Sequence, residues 1–296
     1  MTSNLTTFYS SGITQMFLAT FSFFMANVFV KQLAKMPVME IVFFRSIVAG
    51  AFCWIGIRQA KVHWAGNNKP FLVFRGISGT VALVLFFITL QNIPLASATT
   101  IQYLSPIFTA FIAIFFLKES VTVLQWFFYA IAFSGVLLMK NFDPRVSLFY
   151  LVIGVIAAFG SGVAYNFVRR LKDTEHPLVI ILYFQIIGLV VSIPAMLFAW
   201  KSPVGMEWIY LLFVGIFSQL GQVFLTNAFS RERAASVAII VYTGLVYAIS
   251  VGWIIYGERQ TLFASLGMLL VVVGVAASIL YGKRRKDLEK LEAVVK

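Results

Sequence analysis

The sequence is poor in groups that carry out covalent or metal chemistry. It has one cysteine, two histidines and 11 acidic residues among 296. A single cysteine excludes a disulfide framework and a cysteine-based metal site within this chain, and Cys53 lies inside an apolar run, where we interpret it as a packing residue. His63 and His176 fall in predicted loops, away from any acidic group with metal-ligand spacing. We therefore predict no metal site and no cofactor.

Motifs for hydrolysis and for nucleotide use are also missing. The sequence contains no Walker A stretch, no G-x-S-x-G turn and no H-E-x-x-H helix. These absences argue against an enzyme and against ATP-driven pumping within this chain. A membrane enzyme or a non-transporting scaffold is kept as the alternative of a different class.

Charge is scarce and apolar residues are abundant. Charged residues make up 11% of the chain and hydrophobic residues 60%, with a mean hydropathy of +0.92, whereas soluble proteins are about 25% charged. The net charge of +12 does not indicate nucleic acid, because the basic residues form short clusters between apolar runs. We expect the bilayer and a small-molecule solute as partners, no nucleic acid, and either a monomer or a homodimer.

Ten apolar segments are long enough to cross roughly 30 Å of hydrocarbon as helices. The sequence therefore predicts an all-α integral membrane protein. The predicted spans are 11–30, 37–57, 71–91, 95–117, 121–139, 147–168, 177–200, 208–229, 235–256 and 262–281.

The two halves of the chain repeat each other. A shift of 139 positions aligns residues 96–119, ASATTIQYLSPIFTAFIAIFFLKE, with residues 235–258 without a gap. An odd number of spans repeated in tandem must enter the membrane from the opposite side, so the halves form a 5+5 inverted repeat, which is typical of secondary transporters. The predicted division is a short tail at 1–10, five-helix repeats at 11–140 and 141–282, and a basic cytoplasmic tail at 283–296.

The distribution of Lys and Arg predicts the orientation of the chain. With the N-terminus inside, most basic residues, Arg75 among them, fall on the inner side. By the positive-inside rule both termini are then cytoplasmic. We expect a multi-pass protein of a bacterial inner membrane.

Several motifs match one transporter family. They are Pro37 and Arg45 of the second helix, ASATTIQYLSPIF and FFLKE of the fourth, AYNFVRRL of the sixth, EHPLVIILYF of the seventh and YGE after the ninth. Over nearly its full length the chain resembles the EamA-type branch of the drug/metabolite transporter superfamily. The stretches FRGISG, PLASATTIQYLSPIF and RRLKDTEHPLVI are similar to the solute-carrier 35 G-like group and its bacterial relatives.

The resemblance implies an exporter or exchanger of a small organic metabolite that works by alternating access, with an amino acid or a related compound favoured. The alternative is an uptake carrier for S-adenosylmethionine, a vitamin such as riboflavin or an organic anion. The second repeat departs from the family pattern, because it has Leu245 where the first has Pro106.

Polar side chains in five of the helices are candidates for lining a solute cavity. Each alone can instead bond a neighbouring helix, but so many lipid-facing amides and hydroxyls would be costly. The candidates are Asn27, Gln102, Tyr103, Tyr165, Asn166, Gln219, Gln222, Asn227, Tyr242 and Tyr247.

Four further residues are candidates for structural or gating roles. Arg45 lies within the second helix, where it either locks helices together or attracts an anionic group. Pro106 removes a backbone hydrogen bond and predicts a bend near Gln102. Glu119 and Glu258 end the fourth and ninth helices, where they either anchor neighbouring helices or act in gating or proton coupling.

Small residues recur at a spacing of four in both repeats. This spacing clears a groove for close helix packing in lipid, and we predict that the fourth and ninth helices form the central close-packed pair. The two aligned sets are Ser105, Thr109 and Ala113 in the first repeat and Gly244, Ala248 and Gly252 in the second.

Acidic side chains are missing from the centres of the predicted spans. Proton-coupled carriers normally bury an Asp, Glu or His there as a relay. We therefore predict transport driven by the gradient of the solute itself. Glu40 is the residue that could contradict this prediction by acting as a relay, because it lies near the start of the second helix and could pair with Arg45.

Overall fold

The computed structural model describes residues 12–116, 121–231 and 239–295. Within these ranges the chain is helical and has no strand. The α-helices are α1 (Gly12–Gln32), α2 (Val38–Gln59), α3 (Lys69–Asn92), α4 (Leu95–Gln102), α5 (Ser105–Phe116), α6 (Val123–Phe142), α7 (Leu148–Leu171), α8 (Pro177–Ala199), α9 (Glu207–Arg231), α10 (Thr243–Tyr256) and α11 (Leu262–Val295).

These helices confirm the predicted multi-span, all-α fold. Counting α4 and α5 as one span, nine helices in the described ranges are long and apolar enough to cross a membrane, and Ile240–Tyr256 is a shorter apolar helix. One boundary differs, because α11 continues to Val295 instead of ending near Tyr281. The basic segment after Gly282 has no glycine or proline that would end the helix. The predicted tail 1–10, Glu119 and residues 235–238 lie outside the described residues.

The fourth span is interrupted, and the ninth span departs from α-helix at the matching position. α4 ends at Gln102 and α5 begins at Ser105, so Pro106 occupies the first turn of a new helix, where its missing N–H needs no partner. In the second repeat a 3₁₀ turn at Ile239–Tyr242 precedes α10. This 3₁₀ turn forms without a nearby proline, and Leu245 occupies the position that matches Pro106.

Most contacts between helices occur twice, with the first-half and second-half helices exchanged. α1 packs against α9, and its counterpart α7 packs against α3. α5 likewise packs against α7 as α10 packs against α1, and the α3–α8 contact has its copy in α9–α2. α2 and α6 each pack against their own counterparts, α8 and α11. This pattern requires a pseudo-two-fold axis, which agrees with the predicted inverted repeat.

Individual side chains repeat the same symmetry. Phe29 stacks on Phe213 with ring centroids 5.1 Å apart. Their counterparts in the other repeat, Phe167 and Phe74, stack with centroids 5.9 Å apart. The axis therefore relates the two halves down to the level of single aromatic contacts.

The closest backbone approach between counterpart helices occurs between α6 and α11. A Cβ atom on Gly135 would lie 2.5 Å from the carbonyl oxygen of Gly267, and one on Gly274 would lie 2.6 Å from that of Phe128. These two contacts are copies of each other under the shift of 139 positions. Glycine is required here because the backbones leave no room for a side chain.

Candidate functional site

One end of the protein is closed by an ion pair between the halves. The Glu258 carboxylate lies 2.8 Å from Lys31 Nζ and also accepts a hydrogen bond of 2.8 Å from Leu95 N. Lys31 Nζ additionally donates to the Ile93 carbonyl at 2.6 Å. The ends of α1, α3, α4 and α10 are thereby held together at the end of the protein that carries the α1–α2 loop.

The position of Glu258 follows from the way α10 ends. Gly257 has a φ of +63°, the left-handed conformation in which helices commonly terminate. Glu258 N then bonds the Gly252 carbonyl at 2.8 Å, so the turn folds back over the last residues of α10. The Glu258 carboxylate meets the N-terminus of α4, where unpaired N–H groups and the helix dipole favour a negative charge.

Further bonds close the same end. Tyr256 donates its hydroxyl proton to the Val28 carbonyl at 3.0 Å. Arg145, in the loop between the two repeats, donates to both carboxylate oxygens of Asp143 at 2.8 Å and to the Arg259 carbonyl at 2.8 Å. The hydrogen bond to Asp143 raises the pKa of Arg145, so this guanidinium stays charged.

Tyr165 marks an interior space towards the opposite end. On α7, Ile156 is 50% exposed and lies on the lipid-facing side, whereas Tyr165 is 42% exposed. Nine residues are about two and a half helical turns, so the two side chains lie on opposite faces of α7. Ser161, one turn before Tyr165 on the same face, accepts a hydrogen bond of 2.9 Å from Gln102 Nε2 of the other repeat. Tyr165 is therefore exposed to a space between the halves.

Several of the predicted cavity residues lie around the interruption of the fourth span. Tyr103 donates to the Val241 carbonyl at 2.9 Å, and its ring meets the Tyr242 ring edge-on with centroids 5.0 Å apart. Asn166 Nδ2 donates to the Thr109 carbonyl at 3.0 Å. These residues are brought together from both repeats, as a shared cavity wall requires.

Some buried polar atoms of the predicted cavity residues lack partners. They have no hydrogen bond to any residue that the structure describes, although buried polar groups are usually paired. These atoms are Gln102 Oε1, Asn166 Oδ1, Gln219 Oε1 and the Tyr242 hydroxyl.

Other predicted cavity residues lie elsewhere. Tyr247 meets Phe17 and Phe21 edge-on, with ring centroids 5.9 and 6.0 Å away. Both phenylalanines are exposed on the outer face of α1, whereas Phe24, whose ring centroid is 5.5 Å from that of Tyr247, is buried. Tyr247 therefore packs against the aromatic side chains of α1. Three candidates are half-buried on α1 and α9: Asn27, Gln222 and Asn227.

The small residues of the two repeats pack against different neighbours. A Cβ on Gly244 would lie 2.7 Å from Tyr103 Oη and 3.1 Å from Thr20 of α1, and one on Gly252 would lie 3.0 Å from the Glu258 carboxylate. In the first repeat α5 packs closely against α7, where a Cβ on Gly162 would lie 2.9 Å from Thr109 N. The second set therefore meets the fourth span at Tyr103 as well as α1, in agreement with the contact between α4 and α10, whereas the first set packs against α7.

Two arginines are buried beside one aromatic ring. Arg45 on α2 is 2% exposed and Arg75 on α3 is 5% exposed. Their guanidinium carbons lie 5.0 and 4.6 Å from the centroid of the Phe184 ring, within the range of cation–π attraction. Arg45 Nη1 also donates to Gln185 Oε1 at 3.1 Å.

The burial of Arg75 corrects the expectation that it belongs to the basic residues that set the inner side. α3 begins at Lys69, so Arg75 lies well inside the helix. The repeat contains the signal that would have identified it, since the aligned segment of the second half has Val214 between an identical Phe and Gly. A charge that replaces an apolar residue within a repeated pattern indicates a role specific to one half.

Glu40 does not pair with Arg45. It is fully buried at the start of α2 and accepts a hydrogen bond of 3.2 Å from Lys201 N. The ion pairs among the described residues are Lys31–Glu258 and Asp143–Arg145, and neither involves a buried arginine. The same part of the chain contains no group of three or more metal-ligating side chains.

This combination of features defines a class of protein. A helical membrane protein with two inverted repeats, a polar space between them and one closed end is built as a secondary transporter.

The sequence matches the EamA-like transporter family twice, over residues 10–140 and 148–280, and the chain belongs to this family. The resemblance derived from the motifs is thereby confirmed. Members of this family are transporters, so the protein is a membrane transporter and not an enzyme.

Two curated relatives extend this result. The chain is 34% identical over 270 residues to the pseudopaline exporter CntI of Pseudomonas aeruginosa. The aligned region covers 90% of this chain and 95% of the exporter. It is 29% identical over 287 residues to human solute carrier family 35 member G1, and this alignment covers 90% of this chain and 79% of the human protein.

A solved structure, titled only as the crystal structure of a protein, is similar with a TM-score of 0.63 over 90% of this chain and 98% of that chain. At 18% identity this similarity supports the fold alone.

Proposed function

We propose that the protein exports or exchanges a small organic metabolite by alternating access at a bacterial inner membrane, with both termini in the cytoplasm. An amino acid or a related compound is the favoured solute. The five-helix repeats at 11–140 and 141–282 act as the two moving halves, and the tails 1–10 and 283–296 lie outside them.

The asymmetry between the two ends of the protein carries this proposal. The end with the α1–α2 loop is held closed by Glu258 and its partners, whereas Tyr165 is exposed between the halves six residues before α7 ends on the other side. In the proposed orientation this conformation is open towards the cytoplasm. Motion of one repeat against the other would open the closed end and bring the solute to the outside.

The proposed solute contacts are the predicted polar residues that the structure gathers between the repeats. Gln102, Tyr103, Tyr165, Asn166 and Tyr242 line the region where the fourth span is interrupted. Their unpaired oxygen atoms are available to donors on a solute. Gly244, Gly252 and Pro106 support the shape of the wall.

The direction of transport is supported by the pseudopaline exporter among the relatives. Pseudopaline itself is one solute to test. The competing assignment within transport is uptake of S-adenosylmethionine, a vitamin such as riboflavin or an organic anion. A scaffold that keeps the fold without transporting is the competing function of another class.

Solute counterflow in proteoliposomes tests the proposal. Vesicles loaded with one unlabelled compound are mixed with a trace of the same compound in labelled form, for a panel of amino acids, organic anions, S-adenosylmethionine, riboflavin and pseudopaline. We expect transient accumulation of the label for at least one compound, and none in protein-free vesicles. Background uptake for every compound would reject transport and favour the scaffold.

A further inference from the structure

The two buried arginines present charged donors that the protein leaves without partners. Arg45 Nε, Arg75 Nε and Arg75 Nη1 have no hydrogen bond to any residue within the described ranges. Burial of an unpaired charged donor is among the most costly arrangements in a protein. Both guanidinium carbons lie within 5.0 Å of the centroid of one ring, so the two like charges are no more than about 10 Å apart. Such a pair is stable only if something else supplies negative charge.

The structure holds both guanidinium groups ready for a planar partner. Phe184 lies beside both of them, so the two cations share one apolar wall. Gly79 makes room on α3, where a Cβ atom would collide with Arg75 Nη1. Gln185 positions Arg45 through its side-chain oxygen. Arginine is the residue best suited to bind a carboxylate, because its planar fork of N–H groups matches the two oxygens.

The arginine pair adjoins the interior space. α3 and α7 pack against each other, and Phe74, beside Arg75, stacks on Phe167. Arg75 therefore lies at the level of Tyr165, the side chain that marks the space between the halves. An anionic group that enters beside Tyr165 reaches the arginine pair from this space. The site is present once, since the second repeat has Gln185 and Val214 in the corresponding positions.

We propose that Arg45 and Arg75 bind a carboxylate of the transported solute, so that the substrate class is organic anions and zwitterions with an accessible carboxylate. This inference rests on the proposed transport function and identifies the chemistry of its binding site. The carboxylate supplies the negative charge that the protein itself omits, and Phe184 holds the two guanidinium groups in place.

Acetate and acetamide provide a matched pair of probes. They have nearly the same shape, and only acetate carries a charge. The full-length protein is placed in nanodiscs of phosphatidylcholine, which has no net charge, and its melting temperature is followed while each probe is titrated at constant ionic strength. We expect a saturable rise with acetate and no rise with acetamide.

Substitutions locate the effect. Arg75→Gln and Arg45→Gln should each weaken acetate binding about 10- to 100-fold, the effect of losing a charge-assisted hydrogen bond, and Arg75→Lys should restore part of it. Arg58→Gln, which removes an arginine stacked on Trp54, should leave binding unchanged. Without a probe, Arg75→Gln should raise the melting temperature by about 3 °C, because an unpaired buried charge is removed. A purely structural Arg75 would instead lower it.

The outcomes separate this inference from the proposed function. If acetate has no effect, or acts on Arg75→Gln and Arg45→Gln as strongly as on the parent protein, the carboxylate site is rejected even if counterflow of some solute is observed. If phosphatidylglycerol stabilises the protein through these arginines and acetate does not, the anion is a lipid headgroup and the solute assignment is overturned. If acetate binds as expected and every solute fails in counterflow, the site stands and transport is rejected.

Discussion

Neutralising Glu258 should open the end of the protein that carries the α1–α2 loop. The Glu258 carboxylate is the point at which Lys31 and Leu95 N converge, at 2.8 Å each. The substitution Glu258→Gln keeps the size of the side chain and leaves one oxygen able to accept from Leu95 N. It removes the negative charge that holds Lys31.

The magnitude follows from the burial of this ion pair. The side chains of Lys31 and Glu258 are 12% and 11% exposed. Removal of one partner from a buried pair costs roughly 3–5 kcal/mol, whereas an exposed pair contributes about 0.2–1 kcal/mol. Lys31 keeps its hydrogen bond to Ile93, so we expect a loss of about 2 kcal/mol in the closed conformation. This corresponds to a shift of about 30-fold in the equilibrium between closed and open.

Thiol labelling measures this shift. Ser97 on α4 is fully buried just below Leu95, and the conservative change Ser97→Cys introduces a reporter after Cys53 has been replaced by serine. An impermeant thiol reagent added from the side of the α1–α2 loop should react about 30-fold faster in Glu258→Gln. Glu207→Gln is the control, because it removes the same charge at the same end of the protein. Glu207 accepts a hydrogen bond from the exposed Val204 N, so this substitution should not change the labelling rate. Equal labelling rates in the parent and in Glu258→Gln would refute the closing role.

Three further predictions concern orientation, packing and energy coupling. A cysteine in the loop around Gly66 should be labelled by an impermeant reagent only from the cytoplasm and one near Pro203 only from outside, and labelling of both from one side would contradict the inverted arrangement. Gly244→Leu should lower stability by about 1–3 kcal/mol, measured by thermal unfolding, because a Cβ there would lie 2.7 Å from Tyr103 Oη. Val246→Leu is its control, being 63% exposed on the same helix. An imposed pH gradient at clamped membrane potential should drive no uphill uptake of the solute, since no acidic side chain of the described residues lies near the centre of a span. Uphill uptake that Glu40→Gln abolishes would overturn this prediction.

The spans and their repetition could be predicted from the sequence because both depend on properties that a single chain displays. Span length follows from the thickness of the bilayer, and the repeat is visible as aligned residues. The proline at position 106 predicts a disturbance near Gln102, where α4 ends. The 3₁₀ turn before Thr243 has no such signal in the sequence, because a 3₁₀ turn can form without proline.

The direction of individual side chains could not be predicted in the same way. A tyrosine in lipid is satisfied either in a polar cavity or on an aromatic surface, so Tyr165 and Tyr247 look alike in the sequence although only Tyr165 faces the interior space. Arg75 counts among the basic residues of the inner side in the sequence because it lies near the start of a predicted span. Its burial depends on Phe184 and Tyr165, which are more than 80 positions away in the chain, and no local pattern contains that information.

The pseudo-two-fold axis places position 45 opposite position 185, its own counterpart. If the first five-helix unit were expressed alone and paired with a second copy of itself, each Arg45 would face another Arg45. Two like charges about 5 Å apart repel by about 3 kcal/mol at an effective dielectric constant of about 20. A glutamine can stand opposite the arginine only when the two units differ in sequence. The covalent joining of two unlike units is therefore what permits a cation at the axis, and the halves are not interchangeable parts.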